Sequence, residues 1–181
     1  MVLKKLFSLK EFKENLKKLL KTYDIDDIFI FGSILKGKET PNDIDIALIR
    51  KEKDYKILEK ITKELNNQKY HIEIFTYKEM FKEPIWKSFL SEAFSIKKNK
   101  HLHDLMNIKS QIIYTYSLKE LNKSEKTMFN RGFSYIIKQI DGQSLSPGTV
   151  LIPTKNEYHF TEFLTSWPNA KIKKKQILLL L

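Results

Sequence analysis

Two aspartates, Asp43 and Asp45, stand two residues apart in a segment that alternates polar and apolar residues and then becomes wholly apolar at 46–49. This pattern is typical of a β-strand with one functional face. Side chains two apart on a strand point to the same face, so the two carboxylates converge. Neighbouring carboxylates repel each other unless a cation lies between them, and Mg²⁺ is the usual hard divalent cation with oxygen ligands. The pair predicts a metal site; the alternative is a pair of solvated acids at a strand edge.

A Gly-Ser pair, Gly32 and Ser33, directly follows the unbroken apolar run 28–31, which is the pattern of a buried strand. Free backbone N–H groups at the start of a short helix there would bind phosphate oxygens, and glycine would allow a close approach. The serine hydroxyl would add a donor. This signal is weak alone and is strengthened by the aspartate pair downstream. Lys36 and Lys38, in the same loop, are either ordinary surface lysines or phosphate contacts.

A third carboxylate, Glu73, lies in the alternating segment 70–76, between Ile72 and Ile74. On a strand next to the aspartates it would complete a cluster of three carboxylates; the alternative is a surface residue on a half-exposed strand. In such a cluster one ion accompanies the nucleotide phosphates and the other lowers the pKa of an attacking hydroxyl.

Histidines and tyrosines give weaker signals. His71, His101 and His103 have no i, i+4 spacing and no neighbouring cysteine, so we predict structural or exposed side chains rather than metal ligands. Tyr114 and Tyr116 are two apart on one predicted strand, where they either stack on nucleic-acid bases or belong to a half-buried sheet.

The elements that would position these residues follow from hydrophobic periodicity. In the first part of the chain we predict an amphipathic helix at 8–23, with a capping box of Ser8 and Glu11, strands at 28–31, 43–49 and 70–76, and helices at 53–66 and 84–94. A basic, polar stretch at 97–108 follows.

The second part reads as a β-α-β-α-β unit with strands at 111–118, 150–152 and 170–181. Its first helix is capped by Asn122 and Glu125, and its second spans 157–167. The predicted fold class is therefore α+β, with a mixed sheet flanked by helices in a catalytic domain (1–108) and a small basic domain of unknown role (109–181). Aromatic residues at helical spacing predict the core of the second domain: Phe129, Phe133, Phe160, Phe163 and Trp167.

Composition excludes several classes of protein. The chain has 181 residues, of which 41% are hydrophobic and 30% charged, so global disorder is excluded. It has no cysteine, which excludes disulfides, zinc ribbons and thiol catalysis. The longest apolar run, 177–181, is too short to span a bilayer, and the first residues lack the features of a signal peptide, so we expect a cytoplasmic protein without a membrane partner.

The net charge of +11 suggests a polyanionic partner such as nucleic acid or a nucleotide. Residues 1–108 carry 22 basic and 17 acidic side chains, and residues 109–181 carry 11 basic and 5 acidic ones. The second part therefore has the higher net positive charge per residue. Its most basic segment contains Lys171, Lys173, Lys174 and Lys175, which are candidate nucleic-acid contacts.

Together, Gly32, Ser33, Asp43, Asp45 and Glu73 resemble the motif of the nucleotidyltransferase superfamily that includes DNA polymerase β, poly(A) polymerases, tRNA CCA-adding enzymes and aminoglycoside nucleotidyltransferases. The resemblance covers about the first 100 residues and is nearest to the minimal prokaryotic members. It implies transfer of a nucleoside monophosphate from an NTP such as ATP, with release of pyrophosphate. It further implies two Mg²⁺ ions, with Mn²⁺ as a substitute, held by the three carboxylates. It also implies that Gly32 and Ser33 bind the β- and γ-phosphates of the NTP. A lysine, Lys36, stands where the family often has arginine, and we assign it to the nucleotide as well.

Three hypotheses remain for the acceptor. The basic second domain favours RNA or DNA. A protein acceptor is the second option, because similar minimal nucleotidyltransferases act as antitoxins that adenylylate a partner toxin. The third is a non-catalytic module that binds nucleotides or nucleic acid. The base of the NTP and the oligomeric state are left open.

Overall fold

The computed structural model describes residues 9–38, 42–65, 70–82 and 84–180. The chain forms two compact units, one of Met1–Leu35 with Glu39–Leu102 and the other of Lys36–Lys38 with His103–Leu181. The main division, after Leu102, lies six residues before the predicted domain boundary. Within the described residues, no helix is long and apolar enough to cross a membrane.

The first unit is a mixed five-stranded sheet with helices on both faces, which confirms the predicted fold class. The strand order is β3-β2-β1-β4-β5; β2 and β3 run parallel and the other neighbours antiparallel. A 3₁₀ turn, Ser33–Lys36, follows β1. The elements are α1 (Leu9–Thr22), β1 (Asp27–Phe31), β2 (Ile44–Arg50), α2 (Lys56–Glu64), β3 (Tyr70–Thr76), α3 (Tyr77–Met80), α4 (Ile85–Glu92), β4 (Phe94–Ser95) and β5 (Lys100–His101).

Helix α1 covers one face of this sheet. Phe12, Leu16 and Leu19 recur at helical spacing and are buried, and they pack against Ile28 and Ile30 of β1. The predicted helix and its inward face are confirmed, whereas Ser8 and its predicted capping role lie outside the described residues.

Aromatic residues fill the other face, because alternate residues of β1 point the opposite way. Phe89 of α4 is 1% exposed, and the rings of Phe29, Phe31 and Phe75 each meet it edge-on with centroids 5.3–5.5 Å apart. The sheet that carries the aspartates is therefore fixed between two packed layers.

The end of α4 differs from the prediction. The helix stops at Glu92, Ala93 adopts an extended conformation, and Phe94 begins the short strand β4. Ser95 Oγ donates a hydrogen bond of 2.5 Å to Asp27 Oδ2, which ties β4 to the start of β1. Burial of Asp27 raises the pKa of its carboxyl group, although hydrogen bonds from Ser95 and from backbone N–H groups oppose the rise.

A capping box fixes the end of β3. Thr76 Oγ1 accepts a hydrogen bond from the backbone N–H of Glu79, and the Glu79 carboxylate accepts one from the backbone N–H of Thr76. Lys53 Nζ lies 2.8 Å from Glu79 Oε1. The hydrogen bonds from Lys53 and Thr76 together lower the pKa of Glu79 from 4.5 to about 2.

The second unit is a four-stranded antiparallel sheet of order β7-β8-β6-β9, covered on one face by α6 and α7. Helix α5 begins at Leu102, the last residue of the first unit, and its other residues belong to the second unit. The predicted core, helices and strands are confirmed, with one strand more than predicted: β7 pairs with β8 across the turn at Pro147 and Gly148. The elements are α5 (Leu102–Leu105), β6 (Ile108–Ser117), α6 (Lys123–Gln139), β7 (Gln143–Ser146), β8 (Thr149–Pro153), α7 (Glu157–Thr165) and β9 (Lys171–Leu180).

The tyrosines of β6 belong to the core of this unit. Tyr114 is 2% exposed with its ring against Phe160, and Tyr116 packs against both Phe129 and Phe133. Both face the helices, which supports the half-buried sheet over a base-stacking surface. The predicted capping box at the start of α6 is confirmed, because Asn122 and Glu125 exchange side-chain and backbone hydrogen bonds.

Candidate active site

The turn after β1 brings a glycine against an aspartate. Phe31, the last residue of β1, pairs with Asp45 of β2, so Gly32 follows directly beside that aspartate. Gly32 has a φ of +83°, and a Cβ atom placed on it would lie 2.1 Å from Asp45 Oδ2. Glycine is required here twice, for the left-handed backbone and for the close approach of the carboxylate. The 3₁₀ turn then begins at Ser33, as predicted, and Leu35 N–H donates to the Gly32 carbonyl at 3.2 Å.

The two aspartates differ in their surroundings. Asp45 lies within β2 and its side chain is 26% exposed. Asp43 is exposed and precedes the first residue of β2, Ile44, so the strand begins one residue later than predicted. Ile44 and Ile46 on either side of Asp45 are buried, which anchors this aspartate more firmly than its partner.

The parallel pairing of β2 with β3 brings a histidine to the site. His71 lies opposite Asp45, and Glu73 lies opposite Ala47. His71 Nδ1 is 3.3 Å from Asp45 Oδ1, and its Nε2 is 3.3 Å from Glu73 Oε1. The imidazole therefore lies between two of the three predicted carboxylates. Although His71 is exposed, as the sequence predicted, its role as a bridge was missed; the available signal was that it shares a strand face with Glu73, two residues away.

The donor set suits a hard divalent cation in its chemistry, since Asp43, Asp45 and Glu73 all supply carboxylate oxygens. Among residues 9–38, 42–65, 70–82 and 84–180, however, no three histidine or carboxylate side chains are grouped so that they could hold a metal ion. His71 occupies the space between two of the carboxylates, and a cation bound by both would have to take its place.

Lys36 belongs to the second unit, together with Gly37 and Lys38. Its Nζ lies 3.5 Å from Glu157 Oε2, at the start of α7. Lys174 Nζ lies 2.8 Å from the other oxygen of Glu157, whose side chain is only 10% exposed. The hydrogen bond from Lys174 to Glu157 raises the pKa of the lysine. Two of the predicted site lysines thus share one carboxylate.

The remaining lysines of β9 lie on the other face of the sheet. Lys171, Lys173 and Lys175 pair with Ser117, Thr115 and Ile113 of β6, which alternate with the core tyrosines and so point away from the helices. Lys171 Nζ is 3.2 Å from a Glu120 carboxylate oxygen. The structure therefore groups three of the four predicted nucleic-acid contacts and separates Lys174 from them.

Comparison with known proteins agrees with the site motif. Residues 14–101 match the family model described as "Polymerase beta, Nucleotidyltransferase", and this range contains the Gly-Ser turn and all three carboxylates. No curated protein and no solved structure matches the chain. Residues 14–101, just under half of the chain, are thus similar to the polymerase β-like nucleotidyltransferase superfamily.

Proposed function

We propose that the protein transfers a nucleoside monophosphate from an NTP to an acceptor hydroxyl. The observation that carries the proposal is the contact of the Asp45 carboxylate with the Gly32 turn, because it places the proposed phosphate-binding turn beside a proposed cation ligand within the residues that match the family. Such chemistry depends mainly on positioning and on charge neutralisation.

In the proposed reaction, the acceptor oxygen attacks the α-phosphorus and forms a new P–O bond. The bond from the α-phosphorus to the oxygen that bridges it to the β-phosphate breaks, and pyrophosphate leaves with that electron pair. The acceptor proton passes to solvent. The backbone N–H groups at Gly32 and Ser33 and the Ser33 hydroxyl would hold the β- and γ-phosphates.

We assign the cations to Asp43, Asp45 and Glu73, with Mg²⁺ as the preferred ion, two ions per site, and Mn²⁺ as a substitute. Bound there, they would neutralise the phosphates and lower the pKa of the attacking hydroxyl. His71 would leave its position between Asp45 and Glu73 when the cation binds. Lys36 would contact the nucleotide phosphates, in competition with its present ion pair to Glu157.

For the acceptor we favour RNA or DNA, because Lys171, Lys173 and Lys175 share one face of the second unit. Lys173 and Lys175 have no acidic partner within 4.0 Å among the described residues. Phosphate contacts by lysine release counterions, so binding would weaken as salt rises. For a single strand, Lys173→Gln should reduce the slope of log K against log salt by about 0.7. Lys174→Gln should leave the slope unchanged, because Lys174 is paired with Glu157.

One labelling assay distinguishes a nucleic-acid acceptor from the two other hypotheses, a protein acceptor and a non-catalytic binding module. Incubation with each α-³²P-labelled NTP, with Mg²⁺ or Mn²⁺, and with RNA, DNA or cell extract identifies the acceptor from the fraction that takes up label. Label in nucleic acid supports the favoured acceptor, and label in one protein band supports the protein acceptor. If no acceptor takes up label although the protein still binds NTP, the proposal is overturned and the protein is a non-catalytic binding module.

A further inference from the structure

Strand β9 forms one edge of the sheet in the second unit. It pairs with β6 over ten consecutive residues, from Lys171 to Leu180, so in the described part of the chain its other edge carries unpaired backbone donors and acceptors along the same length. Gln176 is exposed although it lies on the face that the helices cover, which indicates that the helical layer does not cover β9 at this position. A long open edge of this kind is a template for a further strand.

The two halves of β9 have opposite character. Four of the five residues at 171–175 are lysines, and the strand is apolar from Ile177 onward. Leu179 is 42% exposed. The lysines oppose pairing of the basic half with another basic strand, because like charges directly opposite each other are destabilising. The strand therefore discriminates among partners, and it favours one that is apolar opposite its lysines.

A second copy of β9 meets this requirement when it runs antiparallel. We propose that two copies of this chain pair through their β9 edges about a two-fold axis at Gln176. Lys175 then lies opposite Ile177 of the second copy, and Lys173 lies opposite its Leu179. The lysine stems pack along apolar side chains while the ammonium groups stay in water. The two four-stranded sheets become one sheet of eight strands.

Register selects this axis among its neighbours. Shifting the pairing of the two β9 strands by one residue would place the helix-covered face of one sheet on the same side as the uncovered face of the other. Only shifts by an even number of residues keep the two helix-covered faces on one side. The nearest allowed axis toward the basic half passes through Lys175 and places that lysine opposite itself. The axis at Gln176 avoids every lysine–lysine pair, and the interface is self-complementary, as a two-fold dimer requires.

Mass measurement over a concentration series tests the proposal, by multi-angle light scattering or sedimentation of the full chain. We expect a species of twice the 21.5 kDa of one chain at high concentration. Ile177→Lys would place a lysine opposite Lys175 of the second copy at two symmetric positions, and should raise the dimer dissociation constant at least about tenfold. Adding Lys175→Glu to Ile177→Lys restores opposite charges across the interface and should restore the dimer. Gln143→Lys, which adds the same charge at the opposite edge strand β7, is the matched control and should leave the dimer unchanged.

Cross-linking gives an independent measurement, because the chain has no cysteine. A single Gln176→Cys places the two sulfurs opposite each other and should yield a disulfide-linked dimer on oxidation, whereas Gln143→Cys should not. Circular dichroism confirms that each variant folds. A monomer at every concentration would overturn the proposal, as would a dimer that survives Ile177→Lys or one that does not cross-link through position 176.

Discussion

Comparing Gly32→Ala with a control variant at a glycine of the same backbone conformation separates the role of Gly32 beside Asp45 from its role in the backbone. The substitution places a Cβ atom 2.1 Å from Asp45 Oδ2, and this distance must open to at least 3.0 Å. The carboxylate or the turn therefore has to move by about 1 Å, and a displacement of that size at a reacting centre costs roughly 100-fold in rate. The φ of +83° adds a backbone cost of about 1–2 kcal/mol for alanine.

Gly148→Ala is the matched control, since Gly148 has the same φ of +83° and its Cβ would meet the Tyr116 carbonyl oxygen at 2.7 Å. Both variants should lose stability, by roughly 2–4 °C in melting temperature per kcal/mol. Only Gly32→Ala should lose nucleotidyl transfer, measured as α-³²P incorporation well below the melting temperature. Full activity in Gly32→Ala, or equal loss of activity in the two variants, would refute the role of the Gly32–Asp45 contact.

Three further predictions concern stability. The pKa of Glu79 is lowered to about 2 in the folded protein, so the stabilisation that its carboxylate gives is present above the unfolded-state pKa near 4.5 and is lost as pH falls through about 2. Glu79→Gln should therefore flatten the dependence of the unfolding free energy on pH between these two values. An unchanged slope would contradict the pairing of Glu79 with Lys53 and Thr76. Lys174→Gln should cost about 1–2 kcal/mol in urea unfolding by removing a partner of the buried Glu157, whereas Lys173→Gln should stay within about 0.5 kcal/mol; equal effects would refute the distinction between the two lysines. Phe89→Ala should cost about 3–5 kcal/mol, since it empties the centre of an aromatic cluster, and a cost below about 1 kcal/mol would show that this layer is not packed as described.

The sequence predicts most of the first unit because its signals there are local. The 3.6-residue periodicity of α1 and the apolar run of β1 are each visible within one window of residues. The Gly-Ser turn and the aspartates are contiguous with those elements, so their placement follows from the same windows. The beginning of β2, one residue after Asp43, is within the ordinary uncertainty of a strand boundary.

The features that the sequence did not predict depend on pairing between distant segments. Strands β4 and β5 have two residues each, too few for any periodicity, and β7 is exposed at all four positions and shows no alternation. The bridge made by His71 depends on the register of β2 against β3, which joins residues 26 apart. The engagement of Lys174 with Glu157 depends likewise on how α7 packs on the sheet. Local patterns fix which face a residue occupies, and only the assembled sheet fixes what lies opposite it.

Asp45 and the Gly-Ser turn beside it are proposed to support transfer of the α-phosphate of an NTP. The most direct measurement compares α-³²P- and γ-³²P-labelled NTP with the unmodified protein and with Asp45→Asn, which removes the charge and keeps the size of the side chain. We predict that the unmodified protein incorporates the α label and not the γ label into the acceptor. The folded variant should incorporate neither. Transfer of the γ label would contradict nucleotidyl transfer, and undiminished transfer of the α label by Asp45→Asn would contradict the role of Asp45.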